Sequence, residues 1–274
     1  MKVISIVGHK KTGKTTLASN LITALSKIGS VGSVKSMVHQ RFNPEDTDTG
    51  KHFDAGADIV VGVTEDELVT IERNPDLEKA LNRLADSGMD FAVVEGDKES
   101  SLPKVVLGEM EEELPNVVMT LSAHPDMDIA ELVELTQSQS EWVTLDLLIK
   151  KVQKNPIIKK AGAIGTFTGI VREHTEDTQT TYLEFEKYEK LADERIEQIC
   201  TDLKQKEGIL DVVIHHKVGR IDPGEDIVYI VVASAHRKEL FPVLSEAIER
   251  VKSEVPIWKK EFTIDGDFWV HDHA

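Results

Sequence analysis

The chain has 274 residues, 40% of them hydrophobic, and a formal net charge of −17. That length suits two domains of average size with substantial cores. The acidity is spread over both halves, 13 basic against 24 acidic residues up to Ser138 and 19 against 25 beyond it, which argues against nonspecific binding to nucleic acid or an anionic membrane surface.

The lone cysteine, Cys200, excludes an internal disulfide framework and suits a reducing compartment. It sits among Ile196, Ile199 and Leu203 in a helical pattern, which reads as a buried structural thiol. No apolar run approaches the roughly 18 residues that span a bilayer. The N-terminus reads as a first strand rather than a signal peptide, so the expected location is cytoplasmic.

In chain order, the apolar run Val3–Val7 predicts a strand. Gly8, His9, Lys10, Lys11, Thr12, Gly13, Lys14 and Thr15 then spell GHKKTGKT, a complete phosphate-binding loop. Its glycines let the backbone curl so that N–H groups face phosphate oxygens. Lys14 can reach the β/γ-phosphates and the Thr15 hydroxyl can sit on Mg²⁺. From Thr16 to Leu25 apolar residues recur at helical spacing, which puts the loop at a helix N-terminus, where the dipole favours anions. Strands are predicted over 31–38, 68–71, 90–96 and 116–121, with helices over 76–87 and 128–135. This alternation predicts a parallel sheet with ligands at the strands' C-terminal ends. Glu95 stands at such an end and reads as a partner for Mg²⁺ or for an attacking water; the plainer alternative is an acid capping a neighbouring loop.

Alongside the loop stand Val34-Lys35, Asp48-Thr49 leading to Ala55-Gly56-Ala57, Val94-Glu95-Gly96-Asp97-Lys98 and Pro103-Lys104-Val105. In this order they resemble the accessory protein of molybdopterin guanine dinucleotide biosynthesis, the MobB family, over about residues 1–130. The resemblance implies GTP, Mg²⁺ and a guanylyltransferase partner of the same pathway. Two places depart from the family pattern. The basic run after the second strand is diluted to Ser36-Met37-Val38-His39-Gln40-Arg41, and Phe53 or Asp54 stands where relatives have Arg.

Thr136–Glu141 is polar, lacks apolar periodicity and reads as a linker, dividing the chain into 1–138 and 142–274. Beyond it, strands are predicted over 161–172, 182–188, 211–218 and 226–233, the last two joined through the Asp222-Pro223-Gly224-Glu225 turn. Helices are predicted over 192–206 and 241–251, the second stopped near Pro256. The expected fold is therefore an α/β P-loop domain with a parallel-type sheet, followed by an α+β domain with largely antiparallel strands.

Three basic clusters stand out from the acidic background: Arg172, His236-Arg237, and Lys252 with Lys259-Lys260. They lie within the segments Phe167-Thr168-Gly169, Leu183-Glu184-Phe185-Glu186, His216-Lys217-Val218-Gly219, Ser234-Ala235-His236-Arg237 and Val255-Pro256-Ile257-Trp258-Lys259-Lys260-Glu261. That series resembles the catalytic large subunit of molybdopterin synthase, the MoaE family. The resemblance implies sulfur transfer: a ubiquitin-like small subunit presents a C-terminal thiocarboxylate, and two such sulfurs convert cyclic pyranopterin monophosphate into molybdopterin. Lys252 occupies the position of the family's active-site lysine and Lys259 its second basic position. Arg172, His236 and Arg237 are suited to the substrate phosphate, with Phe167 and Lys260 as further substrate contacts. Lys217 stands where relatives usually have Arg. The family also implies a homodimer.

His39, His124, His215, His271 and His273 stand in no zinc-ligand spacing and read as ordinary surface or core residues. Two alternatives remain. One is a nucleotide-switched adaptor that binds a ubiquitin-like protein without catalysis; Arg172, Lys252 and Lys259 speak against it. The other is a small-molecule P-loop kinase, whose basic lid would have only Lys98 and Lys104 to draw on.

Overall fold

The computed structural model describes residues 1–37, 46–74, 76–126, 128–175 and 178–270, and the chain forms two compact units, 1–144 and 145–274. In the first unit β1 (Lys2–Gly8) feeds the phosphate loop and α1 (Lys14–Leu25). There follow β2 (Val31–Lys35), α2 (Asp48–Asp54), β3 (Ile59–Val63), β4 (Leu68–Glu72), α3 (Leu77–Asp86), β5 (Phe91–Glu95), β6 (Lys104–Leu107), β7 (Val117–Leu121) and α4 (Ile129–Ser138). The main sheet runs β2-β5-β1-β6-β7 with every pairing parallel. Leu17, Leu21 and Leu25 of α1 and Leu132 of α4 pack against Ile4, Ile6, Val93, Val105 and Leu107. Each such aliphatic side chain contributes about 1.5–3 kcal/mol when fully buried. Asp76 and Asp128 cap α3 and α4, accepting from the Lys79 and Ala130 N–H groups. β3 and β4 form a separate antiparallel hairpin. Val38 to Arg41 lie outside the described residues.

The stretch read as a linker belongs largely to this unit. Thr136 is fully buried in the last turns of α4, its hydroxyl donating to the Leu132 carbonyl at 2.7 Å. That internal bond hides a polar side chain which composition alone assigns to solvent. Beyond the helix, Trp142 N–H donates to the Met1 carbonyl at 2.7 Å, its indole N–H to Asn82 at 2.8 Å, and Thr144 to Asp86 at 2.7 Å.

The second unit comprises α5 (Leu145–Lys154), a 3₁₀ turn at Pro156–Lys160, β8 (Ala163–Ile170), β9 (His174–Thr175), β10 (Thr178–Lys187), α6 (Glu189–Lys204), β11 (Ile209–His216), β12 (Gly219–Ile221), β13 (Asp226–Ser234), α7 (Arg237–Glu254), β14 (Ile257–Thr263) and β15 (Gly266–Val270). Two antiparallel sheets result. One is β11-β13-β8; the other is β12-β10-β14-β15, with β9 paired to β10. Ile199 and Leu203 of α6, and Leu240, Val243, Ala247 and Val251 of α7, pack on Val212, Ile230 and Val232 of the first sheet. Gly165 lets α7 approach: a Cβ there would lie 2.4 Å from Leu240 Cδ2.

Candidate functional site

In the first unit the loop between β1 and α1 is shaped by residues that other side chains would distort. Gly13 has φ +93°, and a Cβ on Gly8 would meet the Leu107 carbonyl oxygen at 2.5 Å. Lys11 also has positive φ, at 65°. The Thr12 hydroxyl donates to the His9 carbonyl at 2.9 Å, and the Lys14 ammonium donates to the same oxygen. Burial holds Lys14 below the usual lysine range, with Lys98 and Lys35 adding to the effect and Glu95 opposing it. A polyphosphate would add to the counter-charge that Glu95 supplies to this ammonium. His124 arrives from the segment after β7, its N–H donating to the Thr12 carbonyl at 2.9 Å. Lys10 within the loop and Thr16 just after it are exposed.

Glu95 sits at the end of β5, next to β1. Thr15 donates its hydroxyl to Glu95 Oε1 at 2.8 Å, and Lys35 pairs with the same carboxylate at 3.2 Å. This hydroxyl–carboxylate pair beside a phosphate cradle fits the oxygen-donor preference of Mg²⁺.

In the second unit a cavity of about 350 Å³ is lined by both sheets and α7. Phe167 and Arg172 reach it from β8 and its exit, Lys252 from the last turn of α7, and Lys259 from β14. Arg172 is positioned by the Asp222–Glu225 turn: the Gly224 N–H donates to the Val171 carbonyl at 2.9 Å, and Val171 N–H to that of Glu225 at 3.0 Å. Its guanidinium is exposed, with no partner among the described residues. Lys252 lies 4.0 Å from Glu249 across one helical turn, a loose and solvated pairing. The cavity wall also holds two groups that sequence reading missed, His216 and the buried Glu261, which accepts the Thr180 hydroxyl. Strand alternation was the available signal for His216, which continues the core face of Val212 and Ile214.

Three expected substrate contacts stand elsewhere. Lys260 does not line the cavity. Alternation along β14 turns it away from the Lys259 face, toward Asp267 at 2.5 Å and over the rings of Phe262 and Trp269 at 4.8 and 5.9 Å. The bond to Asp267 holds its ammonium above the usual lysine range. His236 and Arg237 are exposed at the N-terminus of α7. Fifteen residues of helix separate Arg237 from Lys252, about 22 Å at 1.5 Å per residue, so this basic pair stands at the far end of α7 from Lys252 and does not line the cavity. Cys200 is buried, and its thiol is pushed up to about 11 by that burial. His215 stacks on Tyr229, while His39, His271 and His273 lie outside the described residues. No helix is long and apolar enough to cross a membrane among the described residues.

Two family models match the two parts of the chain separately. The family model for "Molybdopterin guanine dinucleotide synthesis protein B" (MobB) matches residues 3–128, and that for "MoaE protein" matches 138–254. A Haloferax volcanii protein described as "Probable molybdopterin synthase" is 37% identical, with 99% of this chain and 100% of that one covered. The "Molybdopterin synthase catalytic subunit" of Bacillus subtilis is 42% identical over 47% of this chain and 80% of its own. Among solved structures, Staphylococcus aureus molybdopterin synthase is 39% identical, covering 41% of this chain and 82% of that chain, with a TM-score of 0.40. Bacillus subtilis MobB is 21% identical, covering 52% and 100%, with a TM-score of 0.40. The chain belongs to the molybdopterin synthase family, as a molybdenum-cofactor biosynthesis enzyme in which a MobB domain precedes a MoaE domain.

Proposed function

We propose that the second domain, from about residue 142, transfers sulfur from a thiocarboxylated ubiquitin-like small subunit to cyclic pyranopterin monophosphate, forming molybdopterin. The observation that carries this reading is the convergence of Arg172, Lys252, Lys259 and Phe167 on one cavity of a strongly acidic chain. Both reactants are anions. Arg172 suits the substrate phosphate, since its planar fork makes paired charge-assisted hydrogen bonds. Lys252 and Lys259 suit the thiocarboxylate and the charge that develops as its sulfur attacks. The apolar walls, Val171, Leu183, Phe185 and Ile257, lower the local dielectric and strengthen those interactions.

A homodimer of the kind the family resemblance implies would account for the position of His236 and Arg237. A second copy can bring its own α7 N-terminus to the cavity, so that each site takes Arg172 and Lys252 from one protomer and the basic pair from the other. Coexpression of Lys252→Ala chains with Arg237→Ala chains then gives mixed dimers with one intact site, and activity above that of either parent.

The first domain, about residues 1–138, binds GTP with Mg²⁺ at Gly8–Thr16 and Glu95, and assists guanine dinucleotide cofactor formation beside a guanylyltransferase in the cytoplasm. Thr15 and Glu95 would hold the metal. Bound there, Mg²⁺ would neutralise phosphate charge, while Lys14 and the loop's N–H groups orient the chain of phosphates. The direct test of the whole reading is incubation with thiocarboxylated small subunit and pyranopterin substrate, with the dithiolene product as readout. Absence of product from folded protein rejects sulfur transfer.

A further inference from the structure

We infer that His216 is the proton acceptor that releases the small subunit's tail from the transferred sulfur, an inference that rests on the sulfur-transfer reading above. His216 ends β11 and lines the same cavity as Lys252 and Lys259. Its Nδ1 lies 2.7 Å from the Lys217 carbonyl. A carbonyl oxygen only accepts, so Nδ1 carries the ring hydrogen and Nε2 carries the lone pair. The Phe185 ring meets the imidazole edge-on, with centroids 5.1 Å apart at 67°. Nε2 has no protein partner among the described residues.

The surroundings keep that lone pair free of a proton. Burial depresses the ring below the usual histidine range and Lys187 on β10 adds to this, while the bond to the Lys217 carbonyl opposes it. The charged groups sharing the cavity are Arg172 from the β8 exit, Lys252 from α7, and Lys259 and Glu261 from β14. Arg172 accepts no proton, and Glu261 already takes the Thr180 hydroxyl. A neutral imidazole of fixed tautomer among cations is suited to general-base work.

Sulfur transfer creates the need for such a base. Attack by a thiocarboxylate sulfur forms a carbon–sulfur bond to the substrate, the carbon–oxygen bond at that carbon breaks with its electron pair leaving on oxygen, and the partner's C-terminal acyl group stays on the sulfur as a thioester. Water then bonds through oxygen to the acyl carbon. The acyl–sulfur bond breaks, its electron pair leaves with sulfur as a thiolate, and the partner departs as a carboxylate. One proton of the water passes to His216 Nε2 and the other to solvent. No oxidant or reductant is required.

The test uses the full chain, as wild type, His216→Asn and His216→Gln. The Asn variant keeps an N–H donor in the place of Nδ1 and has no basic nitrogen. In single turnover with thiocarboxylated small subunit and pyranopterin, both variants are expected to form product about 10²- to 10⁴-fold more slowly. They should also accumulate a thioester-linked partner–substrate adduct, visible by mass spectrometry. A merely structural role would slow both steps and build up no adduct. The wild-type rate should fall with acid through a midpoint below the ordinary imidazole range, and both variants should lack that limb. Variants within about threefold of wild type, or a wild-type rate flat from pH 8 to about 4, overturn the role of His216 and leave sulfur transfer standing. Wild type that forms neither adduct nor product overturns both.

Discussion

Replacing Lys104 by Met tests the structural account of the nucleotide-binding domain. Lys104 opens β6 and is fully buried, its ammonium donating to the carbonyls of Ser100, Leu102 and Pro115, the last two at 3.2 and 3.1 Å. No carboxylate among the described residues bonds it, so three main-chain oxygens from both sides of β6 carry its solvation. Methionine fits the volume and strands all three. An unsatisfied buried acceptor costs roughly 1–3 kcal/mol, while sparing the burial of an ammonium returns several kcal/mol. The net expectation is a loss of about 3 kcal/mol. With a urea slope of about 2 kcal/mol per molar, the midpoint should fall by about 1.5 M. Trp142 reports this unit through its bond to Asn82, so the assay is Trp142 emission in a Trp258→Phe, Trp269→Phe background. A midpoint within about 0.3 M of the parent would refute the reasoning, because the three carbonyls would then have found other partners at little cost.

Lys14→Ala should weaken nucleotide binding by about 2–3 kcal/mol, some 30- to 150-fold by calorimetry, and leave sulfur transfer largely intact; loss of both activities in a folded variant would show coupled domains. Arg250 bonds Asp202 at 2.8 Å and Glu254 at 2.7 Å, and holds both carboxyls below the usual carboxylate range. A folded-state pKa below the unfolded one gives stability that is present at neutral pH and drains as pH falls below about 4. Arg250→Met should therefore flatten the acid limb of an unfolding-versus-pH curve; an unchanged limb would place the carboxylates' support elsewhere. Cys200, buried with its thiol pushed up to about 11, should resist thiol reagents at pH 8 until denaturant is added, and rapid native labelling would contradict its burial.

Legibility followed range. The phosphate loop and the caps Asp76 and Asp128 are local chemistry, so their residue types announce them. Lys259 and Lys260 were separable by strand alternation, which also marks His216 as facing the core. Lys104 was unreadable because its acceptors lie on segments before and after it, and a lysine's burial is decided by what surrounds it. Arg73, from beyond β4, lies 4.2 Å over the Phe53 ring and donates to the Phe53 and Ala57 carbonyls. A position-by-position reading cannot see that a guanidinium 20 residues further along the chain packs on Phe53. The separation of His236-Arg237 from Lys252 was calculable from helix rise once 237–254 is known to be one helix.

The most direct measurement is turnover of Lys252→Ala beside Arg172→Ala with thiocarboxylated small subunit and pyranopterin. If Lys252 stabilises the attacking thiocarboxylate in the cavity that Arg172 shares, its removal lowers maximal rate by about 10² or more while the small subunit still binds. Arg172→Ala should instead act mainly on the substrate concentration required. A Lys252→Ala chain that keeps more than about a tenth of wild-type turnover at saturating substrate contradicts the assignment of this cavity's central residue.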